Sequence, residues 1–332
     1  MLHRYIVAVG AGCAAALLFI VSAQSSVMAM ALANLAPLPL MIATIGWGTD
    51  AGAVAAGISA AALAVLAEPV SALLFAASVA APAWALAAFA ATPVPRYLPA
   101  RWAPASGQTS VGAVVVFASL IGVAASVAAL TTIIMVYGGY REGARQVASQ
   151  IVTLTADAFD GAPDSASARA FAETIVRFGP AAIAGSTLTM LCLNLYAAAR
   201  STQLSHRLMR PWPDLPNSLF LPWPVGLLFL ACCAGAYALP TPTAQYFSIG
   251  VGGFGGALVL QGLAVAHASS RGLKMRPFML VALYACCVLR AKYTLPVLAA
   301  LGLVDGFARL RARPGLVPPL LPQDKNRRTS WK

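Results

Sequence analysis

The chain has 332 residues, of which 60% are hydrophobic and only 10% charged, with a formal net charge of +12. A soluble domain carries about a quarter charged residues, so this chain lacks the polar surface that water demands, and its solvent is the lipid bilayer. A nucleic-acid binder is excluded too, because the cations lie between and after apolar runs, with no fold of their own to enter a groove.

Apolar runs of about 18 or more residues recur from end to end, each long enough to cross a hydrocarbon layer of roughly 30 Å. Alanine and leucine abound and strand-type alternation is missing. The pattern predicts an all-α polytopic bundle of about 8–10 membrane segments within residues 1–312. The basic residues of 313–332 read as a disordered cytoplasmic tail.

Span 1 covers 5–23, behind His3 and Arg4. Its apolar core is longer than the roughly 7–15 residues of a signal peptide, although Val21-Ser22-Ala23 resembles a cleavage site. Span 2, about 27–47, contains LANLAPLPLMIATIGWG. Pro37 and Pro39 lack backbone donors and disfavour helix at the residue before each. Carbonyls near Ala33 to Ala36 are therefore expected to be partly unpaired, beside Asn34. Two readings stand: a discontinuous helix lining a site, or a proline kink packed against its neighbours.

Span 3 follows Thr49-Asp50, with Asp50 placed as a helix N-cap, and Glu68-Pro69 breaks the chain before span 4 at about 70–91. The Pro-rich loop 93–110, with Arg96, Arg101 and Trp102, reads as an interface anchor. Span 5, about 111–137, ends in Tyr137 and Tyr140, an interface signature. An extracytoplasmic insert, 139–179, follows. Val147, Ile151, Leu154 and Ala158 recur there at helical spacing and predict an amphipathic surface helix. Gly161 to Asp164 reads as a turn, and Gly179-Pro180 as the break that opens span 6, about 181–199.

Span 6 carries Asn194 near its far end and leaves the membrane through Arg200 into a loop with Arg207, Arg210, the Pro211 to Pro213 turn and Asp214. That loop is the candidate cytoplasmic interaction site. Spans 7 and 8 lie at about 220–239 and 247–267. GVGGFGG in span 8 formally fits a dinucleotide fingerprint, but the strand before it and the acid after it are missing. Gly252 and Gly256 read instead as a face for close helix contact. The last apolar block, 277–308, is split by Arg290 and Lys292. Two short crossings would carry these cations to the outer surface, and a re-entrant hairpin would hold them near the midplane, where charge is expensive.

Topology follows from the cations. With the N-terminus in the cytoplasm, the inner side holds Arg4, the pair 96/101, the trio 200/207/210, the trio 271/274/276 and seven from Arg309 onward, sixteen of the 22. Both termini are thus expected inside.

Enzyme motifs are missing: there is no GxxxxGK[ST] loop, no HExxH, and His3, His206 and His267 stand far apart, so neither catalysis nor a metal or other cofactor is expected. The six cysteines lie in apolar segments and read as small buried hydrophobes. Asn34, Asn194 and Gln261 are the span residues singled out as polar. They read either as packing glue or, with Pro37 and Pro39, as the lining of a ligand pocket where span 2 breaks.

Several stretches carry a resemblance: LAPLPL with GWG in span 2, Asn194 then Arg200, the RPWPDLP loop, QGLAVAH closing span 8, and LGLVDGFARLRAR near the end. Over nearly the whole chain they resemble the YybS-like family of predicted bacterial inner-membrane proteins, whose domain is of unknown function. That family is in turn similar in character to the substrate-binding S components of energy-coupling-factor transporters, though those have about six spans. The resemblance implies a substrate-binding or transport subunit for a small molecule, dependent on a separate membrane coupling subunit and ATPase. Ala8, Gly12 and Ala16 would be its docking face. A non-catalytic membrane scaffold or assembly factor is the alternative.

Overall fold

The structure, a computed structural model, describes residues 2–21, 27–67, 69–92, 109–154, 166–208 and 213–312. Every regular element among them is helical: α1 (Leu2–Ile20), α2 (Val27–Ala33), α3 (Pro37–Trp47), α4 (Thr49–Leu66), α5 (Pro69–Phe75), α6 (Ala81–Ala91), α7 (Val111–Tyr137), α8 (Tyr140–Leu154), α9 (Ala166–Leu204), α10 (Leu215–Ser218), α11 (Trp223–Ala238), α12 (Thr243–Ser269), α13 (Arg276–Leu289) and α14 (Ala291–Ala308). A π-helical turn, Ala76–Ala80, joins α5 to α6, and a 3₁₀ turn, Leu310–Ala312, follows α14. Among the described residues, seven stretches are long and apolar enough to cross a membrane, and three shorter apolar ones, 31–47, 223–238 and 276–289, accompany them. The all-α polytopic expectation is met.

Two packed groups share α9. Helix α1 lies along α4, and α3 runs between α4, α6 and α9. The second group is built on α12, which touches α7, α9, α11 and α14. Its glycines explain the closeness. A Cβ on Gly252 would stand 2.0 Å from the Ala181 carbonyl of α9, so the small-residue face expected around Gly252 and Gly256 is a real helix contact. Reciprocally, a Cβ on Gly262 would meet the Leu298 carbonyl at 2.1 Å, and one on Gly302 the Leu258 carbonyl at 2.0 Å. Backbones in such contact gain dispersion energy that lipid tails cannot supply between bulkier helices.

Four expectations are corrected. Gly179-Pro180 does not open a new helix, because α9 runs unbroken from Ala166 to Leu204 with Pro180 inside it. Proline there removes one N–H and frees the carbonyl four residues back, that of Val176, and the Tyr140 hydroxyl donates to this carbonyl. Asp50 is not an N-cap: Gly48 holds that position, and Asp50 lies exposed in the first turn, where its charge suits the positive helix end. The cysteines are not buried: Cys13 and Cys286 are exposed and the other four half-buried, because in lipid an outward thiol carries no penalty. The stripe of Ala8, Gly12 and Ala16 is buried, against α4 of the same chain, so it is no open docking face.

A helix does form in this region, α8, but its inward face is Tyr140, Gly143, Ala144, Ala148 and Val152, packed on α7 and α9, and not the predicted stripe. Val147 and Ile151 flank that face half-buried. Ala158, the turn 161–164, most of the loop 93–110 and the tail 313–332 fall outside the described residues.

Candidate functional site

The break in span 2 is real. Helix α2 ends at Ala33, a turn occupies 34–36, and α3 starts on Pro37. The carbonyls it frees are answered within the protein. Ala36 donates to Ala33 at 3.0 Å and Leu38 donates to Leu35 at 3.0 Å, which leaves the Asn34 carbonyl without a helical donor. The Asn194 amide of α9 reaches across, its Nδ2 donating to that carbonyl at 2.9 Å and to Met190 of its own helix at 2.8 Å. The expectation of unpaired carbonyls is thus corrected at these three positions, because short-range turn bonds and one side chain replace what the prolines remove.

The pocket residues separate by environment. Pro37 is buried, Pro39 half-buried and Asn34 exposed at the bundle surface. Asn194 is 4% exposed, and its Oδ1 has no hydrogen-bond partner, although both Nδ2 bonds are made. A buried acceptor without a donor is costly, and among the described residues this oxygen is such an acceptor beside the break. It accepts an N–H or O–H group.

Gln261 does not join them. It is fully buried on α12, where its Oε1 accepts the Leu221 N–H at 3.0 Å and its Nε2 donates to Asp305 Oδ2 at 2.8 Å. Asp305 is itself buried on α14 and paired with Arg311 at 2.7 Å. The Arg311 Nε also donates to Oδ2, at 3.1 Å, and its backbone N–H to Oδ1, at 3.3 Å. The remaining guanidinium donors reach the carbonyls of Pro216 and Leu219, and the group lies 4.1 Å from the centre of the Phe220 ring. A buried ion pair holds only when its spare donors and acceptors are used as fully as here. Sequence reasoning missed Asp305 and Arg311. The available signal was Asp305, the one acid in the block 277–308.

The family described as "predicted membrane protein (DUF2232)" matches residues 13–306. The chain belongs to that family. Its matched range takes in the span 2 break, Asn194, Gln261 and Asp305, and stops just short of Arg311. No curated protein and no solved structure matches the chain.

The candidates in the loop after α9 of this DUF2232 protein do not form one bonded cluster among the described residues. Arg200 donates to Gln203 at 2.5 Å on its own helix. The Arg207 guanidinium lies 4.7 Å from the Trp47 ring centre, joining the end of α3 to the segment after α9. Asp214 forms a two-pronged pair with Arg271, at 2.7 and 2.5 Å, and also accepts from Asn217 at 2.8 Å. The Arg271 guanidinium holds the Asp214 carboxyl below its usual range despite partial burial. Arg210 lies outside the described residues. No group of three or more metal-ligating side chains occurs among those described.

Proposed function

We propose that this membrane protein is a non-enzymatic substrate-binding subunit of a transport system in the bacterial cytoplasmic membrane, with both termini inside. It resembles in role an energy-coupling-factor S component and draws energy from a separate membrane coupling subunit and ATPase, since its sequence carries no nucleotide-hydrolysing loop. The observation that supports this reading is the broken helix α2–α3 set against Asn194, whose buried Oδ1 is unused. Discontinuous helices beside a buried amide are how many transporters present backbone and side-chain polarity to a small solute. Pro37 and Pro39 shape the break, and Asn34 adds an amide at its surface. Gln261 serves elsewhere in the fold.

The test is a deletion strain complemented with Asn194→Asp, Asn194→Leu and wild type, alongside purification in mild detergent. The reading expects an inserted, monodisperse Asn194→Leu protein that fails to complement, and a coupling subunit that co-purifies with wild type. Full complementation by Asn194→Leu, with no ATPase partner recovered, overturns it.

One observation favours the scaffold reading. No residue of α13 is buried, and Phe278 and Val288 are 68% and 81% exposed. At 14 residues, α13 is short for a full crossing, and it meets the rest of the chain at α14 and through the Tyr284–His267 hydrogen bond at 2.8 Å rather than by buried side chains. Recovery of a stable, non-ATPase membrane partner that is lost on polar substitution of Val288 would place this reading first.

A further inference from the structure

Three segments distant in sequence meet at Arg311: the run 216–221 that leads into α11, Gln261 of α12, and Asp305 of α14. Arg311 reaches them because α14 ends at Ala308 and its C-cap, Arg309, has a left-handed φ of 46° that redirects the chain. Directly beside this junction lies a narrow crevice lined by Leu221, Trp223, Gly226, Leu258, Gln261 and Phe307, among others. Its free space is about 10 Å³, room for roughly one water.

We propose that Arg311 is a C-terminal latch: it holds the segment 216–221 closed over the crevice between α11, α12 and α14, and its withdrawal is the movement that opens that crevice. Leu219 and Leu221 pack into the apolar core, and among the described residues Arg311 makes the most long-range polar ties to the segment on top of that packing. Arg311 supplies a donor to the Pro216 and Leu219 carbonyls and a cation to the face of Phe220, whereas Gln261 holds only the Leu221 N–H. Asp305 does not touch the segment. It fixes the guanidinium, so it is a positioning residue for the latch. At its outer end the segment is tied separately by Asp214 and Arg271, so release of Arg311 swings it about that tie without detaching it. The latch is independent of the transport reading, since it involves neither α3 nor Asn194.

The experiment places a single cysteine at Leu221, 6% exposed, in the full-length protein with its six native cysteines replaced, and follows alkylation by N-ethylmaleimide in detergent. The wild-type latch is expected to protect this thiol. The double variant Asp305→Asn, Arg311→Met removes both charges with side chains of similar shape, so it keeps the fold without a stranded ion. It is expected to raise the alkylation rate at least about tenfold, whereas a cysteine at Ser59, fully buried on α4, keeps its rate. In Arg311→Ala, millimolar guanidinium is expected to restore protection and equal sodium to leave it lost. Unchanged protection of the Leu221 thiol in the double variant overturns the latch, and so does equal action of guanidinium and sodium.

Discussion

The hydroxyl of Tyr140 donates to the main-chain carbonyl of Val176, the acceptor left without its helical partner by Pro180. Asn194 does the same for the Asn34 carbonyl beside Pro37 and Pro39. At Val176 the proline itself removes the helical donor, whereas at Asn34 the donor, the Leu38 N–H, is drawn to the Leu35 carbonyl by the turn at the prolines. In both places a side chain from a distant element supplies the missing bond. The protein thereby keeps prolines in its helices without exposing backbone polarity to lipid.

The Tyr140 bond is expected to be energetically coupled to Pro180. Burial pushes the Tyr140 phenol up to about 12, so it stays protonated and a donor at any physiological pH. Tyr140→Phe strands the Val176 carbonyl and is expected to cost ~1–3 kcal/mol. In a Pro180→Ala background the alanine N–H restores the helical bond, and the same substitution is expected to cost little. Unfolding of the four proteins in detergent gives the coupling; equal losses in both backgrounds contradict the account.

The α12–α14 contact predicts a sharp contrast between glycines. Gly302→Ala places a methyl about 2.0 Å from the Leu258 carbonyl, so the helices must separate, at ~1–3 kcal/mol. Gly57→Ala on α4 meets nothing within 4 Å and is expected to be neutral or slightly stabilising. Thermal midpoints of the two variants check this, and a Gly302→Ala protein as stable as wild type refutes the close contact.

Asp214 and Arg271 give a pH dependence of stated sign. The Asp214 carboxyl is held below its ordinary 3.8 in the folded protein. Its stabilisation is therefore fully present above the unfolded value and is lost as pH falls through the lower, folded one. The Asp214 and Arg271 side chains are 37% and 23% exposed, so screening limits the effect to ~0.2–1 kcal/mol. Asp214→Asn is expected to lower the thermal midpoint slightly at pH 7 and to match wild type at the acid end. A constant difference across the whole range counts against the pair.

Topology is tested with reporter fusions. Sixteen of the 22 cations cluster on what is read as the cytoplasmic side. Fusions after Arg311 and within 200–217 are expected to report cytoplasm, and fusions near Asp160 the outside. A cysteine at Ala291, in a cysteine-free background, is expected to react from outside if α13 and α14 both cross. Periplasmic activity of the Arg311 fusion reverses the assignment.

The sequence by itself determined that the chain is an all-helical membrane protein, because lipid admits only helices or closed barrels, and continuous apolar runs without strand alternation fit the helix. The break in span 2 was also legible, since Pro37 and Pro39 remove donors wherever they stand. So was the glycine face of α12, because four-residue spacing puts Gly252 and Gly256 on one side. What the tertiary structure alone decided is which partner each polar group takes. Local sequence reads Gly179-Pro180 as a helix end, but a hydroxyl from α8 answers the Val176 carbonyl and α9 continues. It likewise groups Gln261 with Asn34 and Asn194 by chemistry, whereas contact with Leu221 and Asp305 assigns it to the Arg311 junction. Periodicity reports one helix at a time, and a donor supplied from 36 or 160 residues away is invisible until the helices have packed.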